Sequence, residues 1–169
     1  MKRGLVLVFL FASLTAAAAL YDADQINALF ERETDGIRAY QRADHATAFK
    51  ILSNTATKGL KESQYLVALM FMKGEGVNQS ILIGLGWLGV AKESGNEDWI
   101  NTFDTFYAAL NERQRRMVDE QVLRYVERYG GKAQGVTCAR RTSAGSRQVR
   151  LLCDKAAGSY PDYEIELVP

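Results

Sequence analysis

Two cysteines, a single histidine and one glycine-rich hexapeptide are the residues of this chain that could carry chemistry. Cys138 and Cys153 lie near the C-terminus and lack the CxxC spacing of a redox pair. In an oxidising compartment they read as a disulfide closing a short loop. Such a bridge contributes roughly 3 kcal/mol by the chain-entropy estimate. The run GLGWLG, Gly84 to Gly89, fits G-x-G-x-x-G letter for letter. A dinucleotide site also needs a strand before it, a helix after it and an acid about twenty residues further on. Ile81 to Ile83 and Asp104 stand near those places, but no βαβ series follows. His45 reads as a packing residue rather than a general base. One histidine and two clustered cysteines make no zinc set. The serines sit in no nucleophile elbow, and Glu75, Asp98, Asp104, Asp119 and Glu120 form no recognisable catalytic pair. The reading therefore assigns no catalytic, cofactor-binding or metal-binding residue.

Two features could bind rather than catalyse. Trp99, Phe103, Phe106 and Tyr107 recur at helical spacing. Such a stripe is mostly core, but a ring left exposed in a groove can anchor a partner; Trp99, Phe103 and Tyr107 are the candidates. Lys132, Arg140, Arg141, Arg147 and Arg150 occur with no acid between Gly130 and Cys153. With Arg140 and Arg150 expected on one face of a hairpin, they could hold an acidic protein, an anionic lipid or a cell-wall polymer. The competing reading is a charged, solvated sheet edge.

The elements that must position these residues are mainly helical. The 169 residues include only Pro161 and Pro169 as prolines, so helices with short breaks can run from Asp24 to Tyr129. The first is expected over Asp24 to Gln41, capped by Asp22 or Asp24, with Ile26, Leu29, Phe30, Ile37 and Tyr40 as its apolar stripe. A second ends at Gly59. A third, Glu62 to Lys73, is apolar almost all round and stops at Gly74, with Gly76 turning the chain again. A fourth spans Ile81 to Glu93 and stops at Gly95-Asn96. A fifth carries the aromatic stripe. Asn111 caps a sixth with Gln114 as reciprocal partner, and Glu120 and Arg124 are spaced for an i,i+4 pair. Beyond Gly130-Gly131, residues 132–169 read as two extended runs about a Ser-Ala-Gly-Ser turn, with Tyr163 to Val168 as a third strand.

The N-terminus, MKRGLVLVFLFASLTAAAAL, has a basic start, a short apolar run and small residues at Ala17-x-Ala19. It reads as a signal peptide over residues 1–19 rather than a stable membrane anchor. Without Lys2 and Arg3 the 21 basic residues fall one short of the 20 acidic ones, a net charge of −1. That balance gives no global argument for nucleic acid.

Residues 48–59 are echoed 36 residues later by residues 84–95, a period that suits stacked helix pairs. The residues Asp35 to Asn96 resemble a Sel1-like repeat, the tetratricopeptide-related helical family. The resemblance is carried by Gly36, Ala39-Tyr40, Ala56-x-x-Gly59, Gly74-Glu75-Gly76-Val77, Trp87-Leu88, Ala91 and Gly95-Asn96. It implies a short α-solenoid of antiparallel helix pairs over residues 20–131, with the first and sixth helices as caps and a disulfide-closed β-hairpin appended. It also implies a non-catalytic role in protein–protein interaction, as a periplasmic adaptor or inhibitor. Relatives of that kind include regulators, factors near cell-wall enzymes and toxin-immunity proteins. The expected partner is another periplasmic or envelope protein. A secreted protein, and a cell-wall-associated enzyme or polymer-binding module, are the alternatives. Gly84, Gly86 and Gly89 depart from the pattern, each costing about 1 kcal/mol against alanine in a helix.

Overall fold

The structure, a computed structural model, describes residues 18–142 and 148–167. Of the signal peptide expected over residues 1–19, residues 1–17 lie outside the described residues, as does the Ser-Ala-Gly-Ser turn, while Ala18 and Ala19 are placed in a strand.

Local capping sets most of the helix boundaries. Helix α1, Ala23–Gln41, starts at Asp22: its side chain accepts from the Gln25 amide, and the Gln25 side chain accepts from the Asp22 amide. Helix α2, His45–Thr57, is capped by Asp44. Helix α3, Lys61–Lys73, ends on Gly74 at φ 76°, the left-handed conformation that a side chain resists. A β-carbon on Gly76 would lie 2.3 Å from the His45 carbonyl oxygen, so only glycine lets this loop press against the start of α2. Helix α4, Ile81–Ala91, is capped by Ser80 and tightens into a 3-10 turn over Lys92–Ser94. Asn96 caps α5, Glu97–Ala108. The expected reciprocal pair of Asn111 and Gln114 opens α6, Glu112–Tyr129. A single turn, α7, covers Gly131–Gln134. The expected Glu120–Arg124 pair does not form; Arg124 donates to Gln121 instead.

Strands β2, Val136–Thr142, and β3, Val149–Lys155, form the expected antiparallel hairpin. Cys138 faces Cys153 directly across the ladder and the two are bonded. The expected third strand, Tyr163 to Val168, is not seen among the described residues: residues 163–167 join no ladder. The second small sheet joins β1, Ala18–Tyr21, to β4, Gly158–Pro161, antiparallel. The fold is therefore mainly helical with two small antiparallel pairs. No helix among the described residues is long and apolar enough to cross a membrane.

Consecutive helices α1 to α4 pack neighbour on neighbour, and α6 lies along α4, which leaves α5 on the outside. The glycines of GLGWLG explain how α4 fits. They lie inside a helix, not in a phosphate-binding loop. A β-carbon on Gly84 would meet Met72 Cγ at 2.4 Å and the Ala68 carbonyl at 3.0 Å. One on Gly86 would meet Gln121 at 2.7 Å, and one on Gly89 would meet Val122 at 2.4 Å. Every residue from Ile83 to Ala91 is buried. Lost helix propensity is thus exchanged for close approach to α3 and α6. Trp87 fills the space beyond, stacked on Tyr129 at 4.7 Å and tilted against Tyr125 at 5.0 Å.

Gly89→Ala puts these two effects in opposition. Alanine gains about 1 kcal/mol of propensity, while overpacking against the stiff Val122 costs about 1–3 kcal/mol. Urea denaturation should show the variant less stable by about 1 kcal/mol, and Val122→Ala in the same chain should recover part of the loss. A Gly89→Ala chain more stable than wild type would rule out the close α4–α6 contact.

Candidate functional site

The first turns of α4 and α6, with Leu110 from the loop before α6, open onto a groove of about 460 Å³. Ile81, Leu82 and Leu85 line it from α4, and Met117 and Val118 from α6. Capping creates it: Ser80 and Asn111 start both helices beside one another, and the tight glycine contacts begin only further along α4. Leu85 and Val118 belong to the core, while Ile81 is 42% exposed and Met117 45% exposed. Asn111, Arg113 and Gln114 supply a polar rim. The floor is apolar, and the side chains at its mouth are a flexible thioether and an aliphatic chain.

Helix α5 is tied to α6. Arg115 donates to the Tyr107 carbonyl at 3.3 Å and to the Ala108 carbonyl at 2.9 Å. The Tyr107 hydroxyl donates to both oxygens of Asp119, at 2.9 and 3.0 Å, and that carboxylate pushes the phenol upward.

The aromatic stripe divides: Tyr107 reaches α6, while Trp99 and Phe103 are buried against other neighbours. Trp99 is 7% exposed and stacks on Tyr65 at 4.7 Å. Phe103 is 5% exposed, stacks on Tyr107 at 5.5 Å and has Lys92 Nζ 3.8 Å above its ring. Trp99 and Phe103 therefore offer no surface to a partner; Tyr107 is half-buried, and Phe106 is the exposed ring. The basic residues also differ from expectation. Arg140 lies opposite Leu151, and Arg150 lies opposite Arg141. Directly paired residues share a face and neighbours alternate, so Arg140 and Arg150 point to opposite faces. Arg140 pairs with Glu97 at 2.6 Å, Arg141 pairs with Asp154, and Arg150 reaches Gln148 at 3.3 Å. Gly74 and Gly76 make the interhelix turn, as read from the sequence.

Four charged side chains are buried among the described residues, Glu33, Lys58, Lys61 and Lys155. Glu33 accepts from the Ser63 amide at 2.9 Å and hydroxyl at 2.7 Å. Burial raises its pKa, against the lowering effect of those two bonds. Lys61 donates to Glu93 at 2.8 Å, Gln64 at 3.0 Å and the Val90 carbonyl at 3.2 Å, and burial pushes it down. Lys155 donates to the carbonyls of Lys58 and Gln134 and sits over the rings of Tyr21 and Tyr160 at 4.7 and 4.2 Å. Glu33 was detectable, because it falls four residues after Leu29 on the apolar stripe of α1. Lys61 and Lys155 carry no such periodic signal. Among the described residues no cluster of His, Cys, Asp and Glu could hold a metal ion.

Set against known proteins, the chain matches no family model, no curated protein and no solved structure.

Burial, and secondarily the charge of Lys58, push Lys155 from 10.5 down to about 8. Between these values the unfolded chain holds a proton that the folded chain releases, so this residue makes stability rise with pH from about 8 to 10.5. The slope is at most about 1.4 kcal/mol per unit. Denaturation midpoints compared with Lys155→Met should show wild type gaining on the variant from pH 8 to 10. Wild type losing ground would mean that the carbonyls and tyrosine faces hold the charge more firmly than water does.

Proposed function

We propose that this chain is an exported, non-catalytic binding protein, a periplasmic adaptor or inhibitor that engages another envelope protein through a Sel1-like helical surface. The observation that carries the reading is the apolar groove between the first turns of α4 and α6, with Ile81 and Met117 exposed at its mouth. Half-exposed aliphatic and thioether side chains above a packed floor, inside a polar rim, match the apolar core and polar rim of a protein interface. The Cys138–Cys153 bridge supports export to an oxidising compartment. The ordered succession of α1 to α4, with α6 alongside α4, supports a short solenoid of helix pairs. A regulatory or toxin-immunity role is the form this takes in the proposal. A cell-wall-associated enzyme or a module binding an anionic polymer draws less support, because Arg140 and Arg141 are each neutralised by a carboxylate of the chain itself.

The test is affinity capture from an envelope extract with the mature protein, read by mass spectrometry, beside the double variant Ile81→Glu/Met117→Glu. Both side chains are exposed, so the melting temperature should hold. Losing two anchors of about 1–2 kcal/mol each should reduce capture of one defined protein by roughly tenfold or more. Equal capture by both chains, or sedimentation with peptidoglycan and no protein captured, would overturn the reading.

A further inference from the structure

The last described residues, 162–167, lie on the helical body much as a bound peptide would. Among the described residues they join no strand ladder. Side chains hold them. The Asp162 carboxylate pairs with Lys58 at the end of α2. The Tyr163 ring meets Tyr129 edge-on at 5.9 Å, with the Arg128 guanidinium 6.0 Å from its centre. The Tyr129 hydroxyl donates to the Glu164 carbonyl at 2.9 Å. Ile165 packs on the core. Glu166 pairs with Arg128 and accepts from Gln121 at 3.5 Å, and its charge adds to burial in raising the Tyr125 phenol.

Tyr163 and Ile165 pack towards the helices, and Asp162 and Glu166 sit on basic groups. The receiving surface is complementary, with Lys50 and Lys58 from α2 and Arg128 from α6. The tail does not fill it. Between residues 163–165 and the Lys50–Thr57 flank of α2 an open channel of about 620 Å³ remains. Residues 162–167, held by side chains beside unfilled space, can lift away without breaking a strand ladder among the described residues.

The geometry points to the α2–α6 surface as the receptor for an extended partner segment of the pattern acid–aromatic–acid–aliphatic–acid, a place that residues 162–167 hold in the free protein. This deepens the adaptor reading by naming a partner chemistry, and it rests on a surface separate from the α4–α6 groove. A tethered tail competes at an effective concentration of about millimolar, so an outside peptide sees only the fraction of molecules whose tail has lifted.

The experiment uses the full chain and a fluorescent peptide with the sequence of residues 160–167, followed by anisotropy. Asp162→Ala/Glu166→Ala loosens the tail and leaves the receptor intact, and should bind the peptide about tenfold or more tightly than wild type. Adding Arg128→Glu should abolish binding, and rising salt should weaken it. Should the double variant fail to fold, Asp162→Asn alone, at the exposed end of the tail, should shift affinity in the same direction. Adding Ile81→Glu/Met117→Glu should leave peptide binding unchanged, which separates failure of this inference from failure of the groove reading. A folded, tail-loosened chain that binds no more tightly than wild type overturns the proposal. So does a concentration-dependent dimer in sedimentation, which would make a second copy's tail the occupant.

Discussion

The close fit of α4 between α3 and α6 is the constraint on which the rest depends. From Ile83 to Ala91 its sequence is apolar all round and buried, so no face of that stretch is given to water. Burying such a helix on several sides requires neighbours to approach its backbone, and Gly84, Gly86 and Gly89 provide the clearance. The remaining gap is filled by Trp87, Tyr125 and Tyr129, all fully buried and in mutual contact. Where the glycines stop, at the first turn of α4, the helices no longer seal against each other and the apolar groove opens. The groove is in this sense the edge of the packing that forms the core.

Polar contacts fix the opposite end of the helical body. Gln64 donates to the carbonyls of Ala56 and Tyr129 at 3.0 and 2.8 Å, joining α2, α3 and the end of α6. Glu93 accepts from both Lys61 and the Gly131 amide, at 2.8 and 2.9 Å. Buried charges of this kind add little net stability, because desolvation offsets their attraction. Their contribution is positional: they place α7 and the hairpin where Val136 and Lys155 enter the interior. The disulfide then holds a hairpin that has too few strands to stand alone.

Most of the helical scaffold was legible in the sequence because its signals are local. Asn111 with Gln114, and Gly74 and Gly95 at helix ends, each act within a turn of their own position, and each marks a boundary in the structure. The cysteine pairing was legible for the same reason, two residues on either side of one turn. The failures are non-local. Alternation in Tyr163 to Val168 suggested a strand, but the alternate residues face helices and no partner strand is offered. The stripe on α5 has the period of a helix face, and the period cannot tell a docked face from a presented one. The facing of Arg140 and Arg150 depends on a hairpin register that no residue in the sequence announces. The groove itself joins Ile81 to Met117 across two helices, and neither residue has a distinguishing pattern of its own.

Native-state hydrogen exchange tests the central place of α4 most directly. If the helix is sealed between α3 and α6, the amides from Leu85 to Ala91 exchange only through global unfolding, together with those of Val67 to Phe71 and Val122 to Tyr129. Those of α5, on the outside, exchange faster through local opening. Amides of α4 that exchange as fast as those of α5, under conditions where α3 and α6 stay protected, would contradict the account.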